Sequence, residues 1–247
     1  MVLVEEKKFR NMIESLQRKG RRLSGHSGSC AINGEVIYKI YNSPRVYSGI
    51  HDFSLCSSNS IAFPMEYYGN VLNGNVLGEK MGYIPKKNLY YSLTSNCRIE
   101  AFIKNYARII EEINNFKEIR MNDMVSANIL YSEDKGFSLI DTYDWVYMFG
   151  CDCSKANIEE FSSNFVDIIV NEYIVDSCML SHRTVHDFKS LGKYGSLLCR
   201  MLELINEESY HIIELIDIFQ NLAKETLGYE AKTFADMETC TKKMLKK

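Results

Sequence analysis

The chain has 247 residues, of which 46% are hydrophobic and 25% charged, and this composition excludes an intrinsically disordered protein. Its formal net charge of −3 gives no electrostatic basis for extended binding to nucleic acid, which selects strongly basic surfaces. No apolar run approaches the ~18 residues that cross a bilayer, so no transmembrane segment is expected. The eight cysteines are scattered without zinc-ligand spacing, and we expect free thiols in the cytoplasm.

A leading helix is predicted over residues 3–19, because apolar side chains such as Phe9 and Ile13 recur at helical spacing before a break at Gly20. We assign residues 1–21 to this helix. A solvated face explains its many lysines and arginines best, and an anionic partner or lipid is the alternative.

Two β-hairpins are predicted next, because an Asn-Gly dipeptide between β-prone runs is the strongest short-range signal for a hairpin. The dipeptides are Asn33-Gly34, within residues 22–41, and Asn73-Gly74, between Ile61–Tyr68 and Val76–Ile84. One short helix is predicted between the hairpins, around Tyr47–Leu55. We expect residues 22–84 to form a sheet-rich N-terminal lobe that binds nucleotide.

The remainder, residues 85–247, is predicted to be mainly helical. A stripe of apolar residues with a period near 3.6 predicts a long helix over residues 99–117. Two short strands, Asn128–Tyr131 and Phe137–Ile140, follow in a hairpin segment at 120–145, and helical patterns continue after it.

Glycines and a lysine near the first hairpin suggest a phosphate site. At Gly25, Ser27 and Gly28 the backbone can bend closely over phosphate groups, although a glycine-containing turn explains these residues equally well. Lys39 lies within an apolar strand, so an inward side chain needs an anion such as a nucleotide phosphate. An outward lysine on a half-exposed strand is the alternative.

The strongest signal is a set of three oxygen-bearing side chains. Asp123 and Asn128 precede one apolar run, and Asp141 ends the next. Carboxylate and amide oxygens are the hard ligands that Mg²⁺ prefers, and a further carboxylate can accept a proton from an attacking hydroxyl. Turn or capping roles for the three residues are the alternative.

In this order and spacing, these residues resemble the protein kinase superfamily. Its members have a glycine-rich loop, a lysine on the third strand, a catalytic loop of the pattern H-R-D-x4-N and a metal-binding aspartate in D-F-G. The resemblance implies an α+β, bilobal protein-kinase-like fold with a small antiparallel β-sheet N-lobe and a mainly helical C-lobe. The chain is similar to small, atypical bacterial-type members, and the aminoglycoside and choline kinase-like branch fits nearly as well as the protein kinases.

The resemblance also implies a role for each matched residue. Lys39 would hold the α- and β-phosphates of ATP, and Asp123 would orient or deprotonate the acceptor hydroxyl. The backbone of Glu79–Tyr83 would contact the edge of the adenine ring. The implied set comprises Asp123 and Lys39 for catalysis; Gly25, Ser27, Gly28, Lys39, Glu79, Met81 and Tyr83 for ATP; and Asn128 and Asp141 for magnesium.

The chain departs from the family pattern at positions that affect regulation and substrate choice. Met121-Asn122 replaces the His-Arg of the catalytic loop, and Thr142-Tyr143 replaces the Phe-Gly of D-F-G. Residues 44–60 contain no glutamate to pair with the site lysine from a helix, so Asp52 is the best substitute and Glu66 a distant second.

We therefore expect an ATP- and Mg-dependent phosphotransferase that acts on a hydroxyl of an unidentified protein or small-molecule acceptor. The alternative is a catalytically weak pseudokinase, which would serve as a nucleotide-binding or scaffolding module. A third interpretation, a two-domain protein unrelated to kinases, predicts no ATP binding. His182 and His186 have metal-ligand spacing on a predicted helix, and we favour a pair without metal.

Overall fold

A computed structural model describes residues 1–20, 22–24, 28–45, 52–93, 96–166 and 212–245. The chain divides into two compact units, the first formed by residues 1–86, 119–123 and 138–149, and the second by 87–118, 124–137 and 150–247. Four residues considered in the sequence lie outside the described ranges: Gly25, Ser27, His182 and His186.

The first unit is built on a six-stranded sheet. The strands are β1 (Val2–Val4), β2 (Arg22–Ser24), β3 (Gly28–Asn33), β4 (Val36–Arg45), β5 (Pro64–Asn70) and β6 (Val76–Gly82). They lie in the order β1-β5-β6-β4-β3-β2; β1 pairs with β5 in parallel, and the other neighbours pair antiparallel.

Both predicted hairpins are present. Asn33 pairs with Val36 across the first turn, where Gly34 has a φ of +61°. The second turn has Gly74 at a φ of +70°. Tight hairpin turns require positive φ, which glycine adopts without the steric cost of a Cβ atom.

Helix α1 (Glu6–Lys19) covers one face of this sheet. Its buried Phe9 and Ile13 form a core cluster with Ala31, Ile40 and Leu77. The predicted helix begins too early, because the apolar residues before it form β1 and pair with Tyr68–Asn70. Helical periodicity cannot reveal a three-residue strand whose partner lies far along the chain.

The predicted helix around Tyr47–Leu55 is not observed where the structure describes this segment. Residues 52–63 contain turns and bends, and the Asp52 carboxylate accepts a hydrogen bond from the Ser54 N–H at 2.9 Å. The earlier part of the predicted helix lies outside the described residues.

Two later segments complete the first unit. Strand β8 (Ile119–Arg120) pairs antiparallel with β11 (Val146–Tyr147), and a single 3₁₀ turn occupies Thr142–Asp144. Rings of this later segment contact rings that precede β5: Tyr147 lies 4.8 Å from Phe53 and Trp145 lies 6.0 Å from Phe63 between centroids.

The second unit is mainly helical, and the long predicted helix is observed as α3. Strand β7 pairs antiparallel with β9. The elements lying in this unit are β7 (Lys87–Asn88), α2 (Leu89–Leu93), α3 (Ile99–Asn115), β9 (Ile129–Ser132), α4 (Ser154–Val166), α5 (Ile212–Leu227) and α6 (Phe234–Leu245). Strand β10 (Gly136–Leu139) lies where the chain passes back into the first unit.

Aromatic side chains form the core of the second unit. Phe102 of α3 is fully buried and lies within 5.0 to 5.6 Å, between ring centroids, of Phe137, Phe165 and Phe234. Each such ring buries about 150–250 Å² of surface, so this cluster is a major source of stability for the unit. In the described ranges, no helix has the length and apolarity needed to cross a membrane.

Candidate functional site

Lys39 lies in the middle of the first unit's sheet, on the face opposite α1. Across the ladders, Lys39 pairs with Glu79 of β6 on one side and with Cys30 of β3 on the other, and Glu79 pairs in turn with Tyr67 of β5. Directly opposite residues project to the same face of a sheet. We call this row of four residues, together with Tyr41 two positions after Lys39, the lysine face.

Asp141 approaches the lysine face and forms an ion pair with Lys39, in which the lysine Nζ donates to Oδ1. The lysine side chain is 7% exposed and the aspartate side chain 24% exposed. Backbone hydrogen bonds hold this approach in place, because the Leu139 N–H donates to Ser60 and the Ala62 N–H donates to Leu139. The fold thus brings into contact two residues that the sequence analysis assigned to one nucleotide site, Lys39 for the phosphates and Asp141 for magnesium.

Asp141 also has an unusual backbone conformation. Its φ of +61° and ψ of +57° are left-handed, and it is one of three described non-glycine residues with positive φ, the others being Asn96 and Asp123. Aspartate tolerates this conformation better than most residues, but it still costs free energy. Such conformations cluster at functional sites, and two of the three observed here are carboxylates predicted from the sequence.

Glu79 is the second carboxylate of the site and belongs to the lysine face itself, and it is completely buried. Burial raises the pKa of its carboxyl group to about 7; the positive charge of Lys39 opposes this rise, the Asp141 carboxylate adds to it, and the Tyr41 hydroxyl partly offsets it. Among the described residues, no donor makes a hydrogen bond of ordinary geometry to either Glu79 oxygen, and the Tyr41 hydroxyl likewise has no such partner.

Two tyrosine rings surround the lysine amine. The Lys39 Nζ lies 5.7 Å from the centroid of Tyr41 and 5.5 Å from that of Tyr143, and the two rings are 4.3 Å apart. The Arg45 guanidinium lies over the Tyr143 ring, with its Cζ 3.4 Å from the ring centroid, and its Nη1 is 3.0 Å from Asp144 Oδ1. Cations over aromatic faces are held by the ring quadrupole, so this arrangement fixes Tyr143 beside the lysine.

Burial also perturbs the Cys30 thiol and the Tyr41 hydroxyl of the lysine face. It raises the pKa of the Cys30 thiol to about 11, with the Lys39 charge opposing the change. It also raises the pKa of the Tyr41 hydroxyl, and the Glu79 carboxylate adds to that effect. Both groups are therefore neutral near pH 7.

Asp123 lies in the same unit as Asp141, at the end of the segment that follows β8. It is exposed, and its φ is +58°. The preceding residue ties this segment to the 3₁₀ turn, because the Asn122 side-chain amide donates to the Asp144 carbonyl at 2.8 Å. The β8–β11 pairing and this hydrogen bond place the predicted base and the predicted metal ligand on neighbouring segments.

Gly28 is explained by packing within the sheet. It lies in β3 opposite Tyr41, and a Cβ atom there would lie 2.3 Å from the Ile40 carbonyl oxygen. A contact this short has no room for any side chain. Contact of Gly28 with phosphate stays a prediction, as do the roles of Gly25 and Ser27, which lie outside the described residues.

The predicted adenine-binding residues lie on β6 and just beyond it. Met81 is buried and pairs with Ile37 of β4, and the Tyr83 N–H donates to the Glu35 carbonyl at 2.8 Å. Adenine recognition by that N–H would therefore replace an existing hydrogen bond. Asn128 belongs to the second unit, where its N–H donates to the Val125 carbonyl, and its role as a magnesium ligand stays a prediction.

Sequence reasoning assigned Glu79 only a backbone role and missed its carboxylate. The two substitutes that it suggested for the missing glutamate have other partners in the structure: Asp52 accepts from the Ser54 N–H, and Glu66 bonds the Tyr68 hydroxyl and pairs with Lys80. A usable signal was present, because Glu79 and Lys39 are opposite charges placed within two apolar strand sequences.

Comparisons with known proteins support the architecture. The sheet with its buried lysine, the aspartate that reaches it and the helical unit together form a protein-kinase-like α+β fold, as predicted. Among solved structures, the chain is similar to an apo pseudokinase, with a TM-score of 0.51 and 7% sequence identity over 99% of this chain and 97% of that chain. No family model matches the sequence, and no curated protein does. At this identity the likeness shows the fold alone.

Proposed function

We propose that this chain binds ATP with magnesium through Lys39 and Asp141 and transfers the γ-phosphoryl group to a hydroxyl of a protein or small-molecule acceptor. The observation that carries the proposal is the Lys39–Asp141 ion pair on the lysine face of a protein-kinase-like fold. The sequence pattern predicts phosphate binding for Lys39 and metal binding for Asp141.

The chemistry of the pair fits a magnesium nucleotide. An ammonium group and a carboxylate that form an ion pair can separate when a magnesium nucleotide binds. The ammonium group then binds a phosphate oxygen and the carboxylate binds the metal ion, so each keeps a partner of opposite charge. Asp141 is also partly exposed, so a ligand can reach it from solvent. When bound, magnesium would neutralise charge on the phosphates and so favour phosphoryl transfer.

Each remaining residue has one proposed task. Lys39 would bind the α- and β-phosphates, Asn128 would assist Asp141 with the metal, and Asp123 would orient or deprotonate the acceptor hydroxyl. The exposure of the Asp123 carboxylate suits that task, because an acceptor must approach it directly. The adenine edge would meet the backbone around Met81.

A pseudokinase is the second candidate. The specific observation in its favour is Tyr143, which stands in place of the family glycine and lies against Lys39 and Tyr41 under the Arg45 guanidinium. The Tyr143 ring limits the space around the Lys39 amine. The similar solved structure is also that of a pseudokinase. On this hypothesis the chain binds nucleotide or a partner protein without phosphoryl transfer.

One set of binding and turnover measurements tests both candidates. Calorimetry should detect magnesium-dependent ATP binding by the unaltered chain, and Asp141→Asn should weaken it at least tenfold because a metal ligand is lost. Asp123→Asn should leave binding within about twofold and reduce ATP hydrolysis about 10²-fold or more. Glu66→Gln is the matched control, because it removes a carboxylate that pairs with Lys80 away from the lysine face.

The outcomes separate the candidates. Binding without turnover in every form, including the unaltered chain, would favour the pseudokinase. No ATP binding at any magnesium concentration would refute both proposals for this site.

A further inference from the structure

The lysine face contains one cation, Lys39, and one carboxylate, Glu79, and the Asp141 carboxylate approaches it from a later segment. Lys39 forms its ion pair with Asp141 while Glu79 lies directly across the β4–β6 ladder from it. Cβ atoms of directly opposite residues are about 4.5–5.5 Å apart, so the Glu79 side chain begins within reach of the lysine. The lysine therefore has a second anion available on the rigid sheet itself.

Lys39 supplies the main compensation for the Glu79 charge among the described residues, and the Tyr41 hydroxyl adds a smaller effect. Its side chain is fully buried, and no described donor makes a hydrogen bond of ordinary geometry to either oxygen. A buried polar group without partners costs about 1–3 kcal/mol, and more when it is charged. The positive charge of Lys39 is the stabilising charge that acts on this carboxylate.

Magnesium binding would change the balance between the two carboxylates. In the proposed function Asp141 turns from the lysine to the metal, and a buried lysine that loses its partner needs another anion. The phosphates of the nucleotide supply one only after they arrive. Glu79 would keep its position while magnesium and nucleotide bind, because its strand β6 pairs with β4 on one side and with β5 on the other.

We propose that Glu79 is a positioning residue that holds Lys39 on the lysine face as its second counter-ion and thereby frees Asp141 to bind magnesium. The proposal rests on the proposed function. It gives this chain a strand-borne carboxylate for the task that the missing helix glutamate would perform. It also explains why a fully buried carboxylate lies in the centre of the sheet.

The first test measures the lysine without any nucleotide. Acetic anhydride acylates neutral amines, and mass spectrometry can follow Lys39 with Lys80 of the same sheet as an internal reference. Four forms are compared: the unaltered chain, Glu79→Gln, Asp141→Asn and the double variant. Each single variant keeps one counter-ion, so we expect modest changes. The double variant keeps none, and its Lys39 should react about tenfold faster than in either single variant.

The second test measures the magnesium concentration that gives half-maximal nucleotide binding. In Glu79→Gln the lysine has only Asp141 as an anion, so the metal must compete for that carboxylate more strongly. We expect the required magnesium concentration to rise about tenfold, while nucleotide binding without magnesium changes less than threefold. A merely structural role would weaken both. Glu79→Asp, which keeps the charge, should restore most of the magnesium affinity, and Glu66→Gln should match the unaltered chain.

The results distinguish failure of this inference from failure of the proposed function. If the double variant is acylated no faster than Asp141→Asn alone, or if Glu79→Gln binds with unaltered magnesium dependence, Glu79 is not the second counter-ion even though the site binds nucleotide. If the unaltered chain binds no magnesium nucleotide, the proposed function fails and the role of Glu79 in it fails too. Circular dichroism of each variant confirms that the comparison is made on folded protein.

Discussion

At the scale of single residues, the central feature is a buried lysine that has an ion pair with one carboxylate, Asp141, and a second carboxylate, Glu79, directly across the strand ladder. Lys39 and Glu79 are both buried, and Asp141 reaches Lys39 from a later segment of the chain. Burial favours the neutral form of a carboxyl group, whereas a nearby ammonium favours the charged form. Because burial is the larger effect on Glu79, the site is expected to respond to pH in a range where ordinary glutamates do not.

The pH dependence of stability should reveal the protonation of Glu79. Its pKa is about 7 in the folded chain against an ordinary 4.5, so the folded state holds the proton more tightly than the unfolded state. The contribution of Glu79 to the free energy of unfolding should therefore fall as pH rises from about 4.5 to about 7 and change little above that. We expect the unaltered chain to lose about 3 kcal/mol relative to Glu79→Gln over this range, measured by urea unfolding.

The difference between the two proteins isolates this one carboxyl group, because all other acids titrate in both. A constant difference in unfolding free energy from pH 4.5 to 8 would show that Glu79 ionises as an ordinary exposed glutamate.

Removal of the lysine charge should destabilise the first unit strongly. Lys39→Met leaves two carboxylates on or near the lysine face without their cation, and breaking a buried ion pair in this way costs about 3–5 kcal/mol. Adding Glu79→Gln to Lys39→Met should recover part of the loss, because one of the two uncompensated charges disappears. Urea unfolding of the single and double variants gives the coupling energy. A strictly additive result would show that the two side chains do not interact.

At the scale of strands and helices, local signals predicted well the elements that local interactions determine. The Asn-Gly turns and the α3 stripe were readable because each depends on residues that are neighbours along the chain or one helical turn apart. Strand β1 was not predicted, since three apolar residues became a strand only by pairing with β5. The position of Glu79 directly across the ladder from Lys39 was missed for the same reason: register between β4 and β6 depends on the whole sheet.

Close strand packing makes one glycine of β6 irreplaceable and another dispensable. A Cβ atom at Gly78 would lie 2.1 Å from the Lys39 carbonyl oxygen, whereas a Cβ atom at Gly82 would meet nothing within 4 Å. Gly78→Ala should therefore cost more than about 2 kcal/mol, because backbone atoms must move. Gly82→Ala in the same strand is the control and should change stability by less than about 1 kcal/mol. Thermal unfolding measures both, and equal effects would contradict the observed packing.

At the scale of the whole molecule, the first unit is assembled from three separate parts of the chain. Residues 1–86 supply the sheet and α1, whereas Asp141, the β8–β11 ladder and two aromatic packing partners come from later segments. The sequence analysis predicted a lobe boundary at residue 84, whereas the observed unit comprises residues 1–86, 119–123 and 138–149. The segment 138–149 contacts the earlier part of the unit through the Lys39–Asp141 ion pair, the bridge between Ile61 and Leu139, and the rings of Trp145 and Tyr147.

A fragment of residues 1–86 should therefore be folded less stably than the same residues in the intact chain. The fragment lacks Asp141, which forms the ion pair with Lys39, and Leu139, which forms a β-bridge with Ile61. It also lacks the rings that pack against Phe53 and Phe63. Amide hydrogen exchange in β4 and β6 should be at least tenfold faster in the fragment. A synthetic peptide of residues 138–149 should restore protection in proportion to its concentration. Equal protection in the fragment and the intact chain would contradict this expectation.

The three-part construction of the first unit has a consequence for synthesis on the ribosome. A polypeptide emerges from the ribosome with its N-terminus first, so β4 and β6 are available to pair well before Asp141 has been translated. Until then, Glu79 is the carboxylate of the lysine face that the nascent sheet already contains. Glu79, which we infer to free Asp141 during ligand binding, would thus also compensate the buried charge of Lys39 while the chain is still being synthesised.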